Sequence, residues 1–160
     1  MFDSIGRTGH RAAVLHTRDT MSGMRVTMLL ADAAQEVNGK LYVLGGGWSV
    51  TGPDVPPMAL AVKLDVPWTE ANQAHTFELV LVDTDGHPVG GRGDGQGVRV
   101  DGQFEVGRPG GVPAGSDIDV AFAISVPPVP LQAGRYAWQL LIDGETHSDW
   151  LRPFQVRARA

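Results

Sequence analysis

Apolar and polar residues alternate along most of the chain, which predicts β-strands because successive side chains of a strand point to opposite faces. The alternation is regular in four segments, at residues 58–66, 98–106, 117–126 and 136–142. Weaker alternation fills the gaps between them, at residues 25–31, 40–45, 76–83 and 152–158. The pattern therefore predicts about eight short strands.

Turn residues separate these segments. Asn38-Gly39 and Asp143-Gly144 tolerate the positive φ angles that tight hairpins need. Helix is expected only at residues 32–37 and 69–74, for one or two turns each. We therefore predict an all-β chain of antiparallel strands with under about 15% helix. A single immunoglobulin-like β-sandwich fits this pattern best, and a closed barrel is the alternative.

The chain has the size and composition of one globular domain. Its 160 residues are 42% hydrophobic and 19% charged, and a chain of this length buries roughly 70% of its unfolded surface. We assign residues 24–160 to the sandwich domain. Residues 1–23 have no periodic apolar face, so we expect them to form a disordered leader or to precede the native start.

Composition also excludes several classes of function. Cysteine is absent, which rules out disulfide scaffolds, thiolate metal sites and cysteine nucleophiles. A net charge of −5 argues against a nucleic-acid partner. No stretch approaches the roughly 20 apolar residues of a membrane span, and no signal peptide is recognisable. We therefore expect a cytoplasmic protein that binds neither nucleic acid nor membrane.

Catalytic and ligand-binding motifs each fail on a named residue. Ser49 lies in a near match to a nucleophile elbow, but Thr51 occupies the position that needs glycine. The glycine-rich residues 86–97 lack the Gly-Lys-Ser/Thr ending of a phosphate-binding loop. An EF-hand loop starting at Asp83 would have Pro88 where glycine is required. We predict no catalytic residue, no metal site and no cofactor.

The five histidines carry no metal-binding spacing, because none lies three or four residues from another. An enzymatic site would therefore have to be assembled by the fold. The arrangement to look for is a pocket that joins His75 or His87 to acidic residues.

Residues 131–138 have the Gly-x-Tyr-x-apolar spacing of a tyrosine corner, in which a tyrosine hydroxyl bonds to nearby backbone. This predicts structural roles for Tyr136 and Trp138, with Trp138 in the core. Residues 134–156 resemble the last two strands of bacterial immunoglobulin-like domains. Two ordinary strands joined by a hairpin are the simpler alternative.

A second resemblance covers more of the chain. Residues 28–35, 39–42 and 44–49 resemble an uncharacterised bacterial domain family of unknown function, and the resemblance continues through residues 57–68. The family has no activity to carry over. The resemblance therefore implies a single β-rich domain and nothing about its chemistry.

Three tryptophans fall at strand ends or in loops, namely Trp48, Trp68 and Trp150. Such residues either plug the ends of a sandwich or anchor a partner. The first functional hypothesis is a non-catalytic interaction or structural module that binds protein, with homo-oligomerisation through a sheet edge as a further expectation. The alternatives are a small-molecule or carbohydrate binder that stacks its ligand on these tryptophans, and an enzyme with a fold-assembled site.

Overall fold

The computed structural model describes residues 23–91 and 93–160. It contains nine strands and one short 3-10 helix at Trp68–Glu70. The strands are β1 (Arg25–Val37), β2 (Lys40–Gly46), β3 (Val50–Thr51), β4 (Met58–Val66), β5 (Ala74–Asp83), β6 (Arg99–Glu105), β7 (Ile118–Val126), β8 (Gly134–Ile142) and β9 (Leu151–Val156). Within these residues no helix is long and apolar enough to cross a membrane. The expected leader lies outside the described residues, apart from Gly23.

The strands form two sheets that pack face to face. One sheet has the order β2-β1-β4-β7, and the other has the order β3-β9-β8-β5-β6. This confirms the predicted all-β sandwich, with nine strands rather than about eight. The expectation of purely antiparallel strands is wrong at β3, which pairs parallel to β9 over two residues.

The core lies between the two inner faces and comes from the apolar side of the period-two segments. Leu60 and Val62 of β4 face Leu81 and Leu140 of the other sheet, and all four side chains are inaccessible to solvent. Trp138 is also completely buried in this core. Burial of one face is what makes the alternation in the sequence so regular.

Both expected helical segments differ in the structure. Residues 32–37 continue β1 as a strand, because they pair with β2 across a two-residue turn. Asn38 and Gly39 have φ angles of 51° and 76°, as a type I′ hairpin turn requires. Residues 69–74 contribute only to the short 3-10 helix and to the start of β5. Strand pairing overrides the helix propensity of these short segments.

The two halves of β1 have different neighbours. Its first half, up to Ala31, pairs with β4, and its second half, from Ala31 to Val37, pairs with β2. Since β4 begins at Met58, the β1–β2 hairpin extends beyond the end of β4. We call residues 31–46 the hairpin arm.

The predicted tyrosine-corner hydrogen bond is present at the start of β8. The hydroxyl of Tyr136 donates to the main-chain carbonyl of Gln132 at 2.8 Å. The tyrosine-corner pattern predicts a buried tyrosine, but the Tyr136 side chain is half-buried. Its ring packs on Phe154, with 5.9 Å between the ring centroids.

Removing this hydroxyl tests its contribution to stability. We expect Tyr136→Phe to lower the free energy of unfolding by about 1 kcal/mol, because one carbonyl loses its donor at a partly hydrated site. Urea denaturation monitored by circular dichroism measures the change. An unchanged unfolding midpoint would contradict a stabilising role for the hydrogen bond.

Candidate binding surface

The three predicted contact tryptophans have different environments. Trp150 is only 2% exposed and belongs to the core, and the ring of His147 packs on it with 4.3 Å between centroids. A side chain this buried offers a partner no surface, which fits the plug interpretation. Trp48 and Trp68 are half-buried.

Trp48 and Trp68 both have part of their ring covered by the chain itself. Trp48 packs edge-on against Phe154, with 6.2 Å between ring centroids. The guanidinium of Arg108 lies 4.7 Å above the Trp68 ring and donates to the Trp68 main-chain carbonyl.

The structure does not bring Trp48 and Trp68 together. Trp48 follows β2, where the N–H of Gly47 donates to the carbonyl of Leu30, and Leu30 pairs with Leu60 near the start of β4. Trp68 follows the other end of β4. Eight residues of extended chain separate the two positions by about 26 Å. A flat row of stacking rings, which a carbohydrate platform needs, is therefore not formed.

Among residues 23–91 and 93–160, five large hydrophobic side chains are exposed, and three of them lie on one face of the hairpin arm. They are Val37, Tyr42 and Leu44, with exposed fractions of 45%, 57% and 72%. The pairing register places them together, because Tyr42 pairs with Gln35, Leu44 pairs with Ala33, and alternate residues of β1 share a face with Val37. We call these three residues the apolar strip.

The residues beside the apolar strip on the same face of the arm are of mixed type. Ala33 pairs with Leu44, Gln35 pairs with Tyr42, and Lys40 pairs with Val37. In the sequence, Tyr42 and Leu44 alternate with their neighbours just as core residues do. Only the fold shows that they are exposed. Clustered apolar surface of this kind marks interaction sites in soluble proteins.

β2 also lies at an edge of its sheet, and it is less protected than the other edge strands. Its sequence, Lys-Leu-Tyr-Val-Leu-Gly-Gly, contains one charge and no proline. At the other edges, β3 is two residues long, β6 has three charged residues, and β7 is followed by two prolines. Short length, charges and proline are the usual protection of sheet edges.

Charged residues on the outer face of the four-stranded sheet pair with one another. Lys63 contacts Asp65 and lies 2.9 Å from Asp119, and Arg25 lies 2.9 Å from Asp117. Hydrogen bonds to Asp65 and Asp119 raise the pKa of Lys63 and outweigh its partial burial. Both basic side chains are therefore held by carboxylates, and the arm supplies the apolar surface.

The fold assembles a histidine–aspartate pair that the sequence did not reveal. Nδ1 of buried His75 lies 2.7 Å from a carboxylate oxygen of Asp143, and Nε2 lies 2.9 Å from the main-chain carbonyl of Glu70. Burial opposes the charged ring, but these hydrogen bonds outweigh it and raise the pKa of His75. Both ring nitrogens face acceptors, so the protonated ring can donate a hydrogen bond to each of them.

Asp83, Asp85 and His87 form a second polar cluster, with one potential ligand atom from each lying within 4.8 Å of the others. One carboxylate oxygen of Asp83 accepts from the main-chain N–H groups of Asp85 and His87, both at 2.9 Å. The carboxylate therefore caps the Asp85-Gly86 hairpin turn.

An open groove of about 580 Å³ lies between the β3–β4 loop, the β7–β8 connection and the chain after β9. Proline and aliphatic residues make most of its wall. Arg157 donates to the main-chain carbonyl of Gly52, and Arg159 pairs with Asp54. Both guanidinium groups that line the groove are therefore already bound by oxygen atoms of the chain itself.

The chain matches a known protein family. The model of a family of unknown function, DUF6941, matches residues 26–157. No curated protein sequence matches the chain. The matched range includes every strand except the first residue of β1, and the whole hairpin arm.

Proposed function

Because the chain belongs to DUF6941, a family of unknown function whose model covers most of it, we propose a function from its geometry: it is a non-catalytic module that binds protein through the apolar strip of the hairpin arm. The observation that carries this proposal is the exposure of Val37, Tyr42 and Leu44 on one face of the arm, three of the five large hydrophobic residues that are exposed in the described part of the chain. The cytoplasm, as the sequence suggested, is its proposed location.

We further propose that the sandwich is immunoglobulin-like. In chain order, β1, β4 and β7 take the places of strands A, B and E, while β5, β6, β8 and β9 take those of C, C′, F and G. The Tyr136 hydrogen bond at the start of β8 supports this order, since a tyrosine corner occurs at the start of strand F. β2 has no counterpart in this scheme, so the arm is an addition to the sandwich.

The arm has a physical reason to bind a partner. A two-stranded hairpin by itself is marginally stable in water, and it gains stability when another strand or surface covers it. Tyr42 and Leu44 are more than half exposed on the arm, although the sandwich core is complete without them. Covering these side chains therefore stabilises the arm and the complex together.

The shape of the surface favours protein as the partner. Small-molecule sites are concave and enclose most of their ligand, whereas the apolar strip lies on one face of a two-stranded hairpin. Catalysis at the histidine–aspartate pair is disfavoured, because both nitrogens of His75 already have acceptors. A net charge of −5 disfavours nucleic acid.

Variants of the strip test the proposal. We expect Leu44→Ser to weaken capture of the native protein partner at least tenfold, since a central apolar contact contributes about 2 kcal/mol or more. Val50→Ser is the matched control, because Val50 is 50% exposed but lies on β3 of the other sheet. Quantitative mass spectrometry of proteins retained by each immobilised variant gives the readout, and melting curves check folding.

Comparison of the two variants shows whether the apolar strip is the binding surface. Loss of the same proteins from Leu44→Ser alone supports the strip as the contact. Equal retention by Leu44→Ser, Val50→Ser and the native chain shows that the strip is not the binding surface.

A further inference from the structure

We propose that the side of the sandwich between β1 and β9 binds a small carboxylic acid in its ionised form, with Arg152 and Trp138 as the hydrogen-bond donors. The site is separate from the apolar strip, so the inference does not depend on the proposed function. Its basis is a set of buried side-chain nitrogens for which residues 23–91 and 93–160 supply no hydrogen-bonding partner. Such groups are rare in folded proteins, and an ion held at the site is one of their ordinary explanations.

The unpartnered nitrogens lie along one row of residues on the inner side of β9. In the described part of the chain there are four of them, namely Trp48 Nε1, Trp138 Nε1, His147 Nε2 and Arg152 Nε. Trp138 pairs with Arg152 in the β8–β9 register. On the same face as Arg152, Phe154 contacts the ring of Trp48 and Trp150 contacts the ring of His147. Arg152 is therefore at the centre of the group.

Arg152 and Trp138 direct their side chains into the same interior. Trp138 is completely buried, and side chains of paired residues point to the same side of a sheet, so Arg152 also points inward. Directly opposite residues have Cβ atoms about 5 Å apart. One acceptor group between the two side chains can therefore bind both donors.

Arg152 is a half-buried arginine without an oxygen partner in the part of the chain that the structure describes. Five arginines of the same part are bound by carboxylates or main-chain carbonyls, namely Arg25, Arg99, Arg108, Arg157 and Arg159. A positive charge in partly apolar surroundings is stabilised by an ionised acceptor. The site therefore favours an anion over a neutral molecule.

An opening at the side of the sandwich gives access to Arg152. The chain between β2 and β3 crosses here from one sheet to the other. Its first residue, Gly47, donates to Leu30 of β1, and its Ser49 carbonyl accepts from Gln155 of β9. On the Arg152 side of this crossing, β1 and β9 are both edge strands, because within the described residues β2 pairs only with the second half of β1 and β3 only with the end of β9. An inward-pointing Arg152 is partly exposed because of this opening.

A carboxylate matches these donors better than other anions do. Its two oxygens fit the Nε and terminal N–H groups along one edge of a guanidinium, and a further lone pair remains for the Trp138 indole. Trp150 and Phe154, each 2% exposed, lie on either side of Arg152 along the strand and make the surroundings apolar. Such surroundings disfavour phosphate and sulfate, which carry two charges and are more strongly hydrated.

Titration with acetate tests the site. The chain has four tryptophans, so a two-dimensional ¹H–¹⁵N spectrum shows four indole N–H signals, which single Trp→Phe variants assign. At neutral pH and constant ionic strength, we expect acetate to shift the Trp138 signal to saturation, with a dissociation constant of about 1–10 mM. Chloride and sulfate at the same ionic strength should move this signal far less.

Two matched variants test the role of Arg152. Arg152→Met removes the charged donor at similar side-chain length, and we expect it to weaken acetate binding at least tenfold. Arg135→Met is the control, because Arg135 is exposed on the opposite face of β8 from Trp138 and its loss changes the net charge equally. We expect Arg135→Met to bind acetate as the native chain does.

Two results would overturn the proposal. One is equal movement of the Trp138 signal by acetate, chloride and sulfate, and the other is equal acetate affinity of Arg152→Met and Arg135→Met. If Arg152→Met does not fold, the native chain decides alone, because a Trp138 signal that acetate does not move contradicts the site.

A carboxylate side chain of a protein partner carries the same group as a free acid, and the retention measurement with immobilised variants distinguishes the two sources. Loss of retained protein from Arg152→Met, but not from Arg135→Met, identifies a side chain of that protein as the ligand. Equal retention by both variants, together with acetate binding, identifies a free acid. Neither result alters the effect expected of Leu44→Ser, so this inference and the proposed function fail separately.

Discussion

Trp150→Ala is expected to lower the free energy of unfolding by about 3–5 kcal/mol, the largest single effect that the structure suggests. The ring is 2% exposed, lies in the same apolar cluster as Trp138, and packs against His147. Truncation removes buried apolar surface and leaves a cavity that the surrounding strands fill only in part. Urea denaturation, followed by circular dichroism, measures the loss.

Trp68→Ala is the matched control for this change. Its ring is half-buried beside Arg108 at the end of β4, so truncation removes less buried surface, and we expect a loss of about 1 kcal/mol or less. Melting and partner capture should be measured together for both variants. A folded Trp150→Ala protein of native stability that no longer captures its partner would contradict the plug interpretation and favour the anchor.

Strand positions were predictable where one face is buried. The alternation at residues 58–66 coincides with β4, and that at residues 117–126 contains β7. Both strands direct their large apolar residues toward the core and carry smaller or polar residues between them, so the alternation is written directly into residue type. The two-sheet architecture followed because many short strands without long helices have few other ways to bury their apolar faces.

The prediction failed where pairing decides between helix and strand. Residues 32–37 contain alanine, glutamine and glutamate, which favour helix. They form a strand because Asn38-Gly39 turns the chain back and β2 supplies the hydrogen-bonding partner. A local propensity of a few tenths of a kcal/mol per residue does not outweigh a complete antiparallel ladder.

The binding surface was beyond local sequence analysis for a related reason. Leu44 and Leu60 are the same residue type in two alternating strands, but one is 72% exposed and the other is fully buried. Only the position of β2 outside the sandwich core makes the difference. The His75–Asp143 contact spans 68 residues, and no spacing rule connects positions that far apart. Pairing between distant segments therefore decides both features.

The His75–Asp143 pair should make stability depend on pH. Burial lowers the pKa of His75, but the hydrogen bonds of the ring outweigh burial and raise this pKa above the ordinary 6.5. The contribution of His75 to the free energy of unfolding is therefore complete below pH 6.5 and is lost as pH rises through the folded-state pKa. Partial burial raises the pKa of Asp143. The hydrogen bonds with His75 and Thr76 outweigh burial and lower this pKa below 3.8. Its contribution is complete above pH 3.8 and is lost as pH falls through that lower pKa.

We therefore expect the pair to contribute most between pH 4 and 6.5. His75→Gln should lower the free energy of unfolding at pH 5.5 by about 1.5–3 kcal/mol, the range for a charged hydrogen bond. The lower end applies because the Asp143 side chain is 50% exposed. The difference from the native chain should shrink as pH rises through the folded-state pKa of His75.

His87→Gln is the matched control, because the His87 side chain is 77% exposed and lies 3.8 Å from Asp83. It should keep the pH profile of the native chain, whereas His75→Gln should flatten it. Urea denaturation at half-unit steps from pH 4 to 9 gives both curves. If His75→Gln and His87→Gln follow the native profile equally, the histidine–aspartate pair is not the source of the pH dependence.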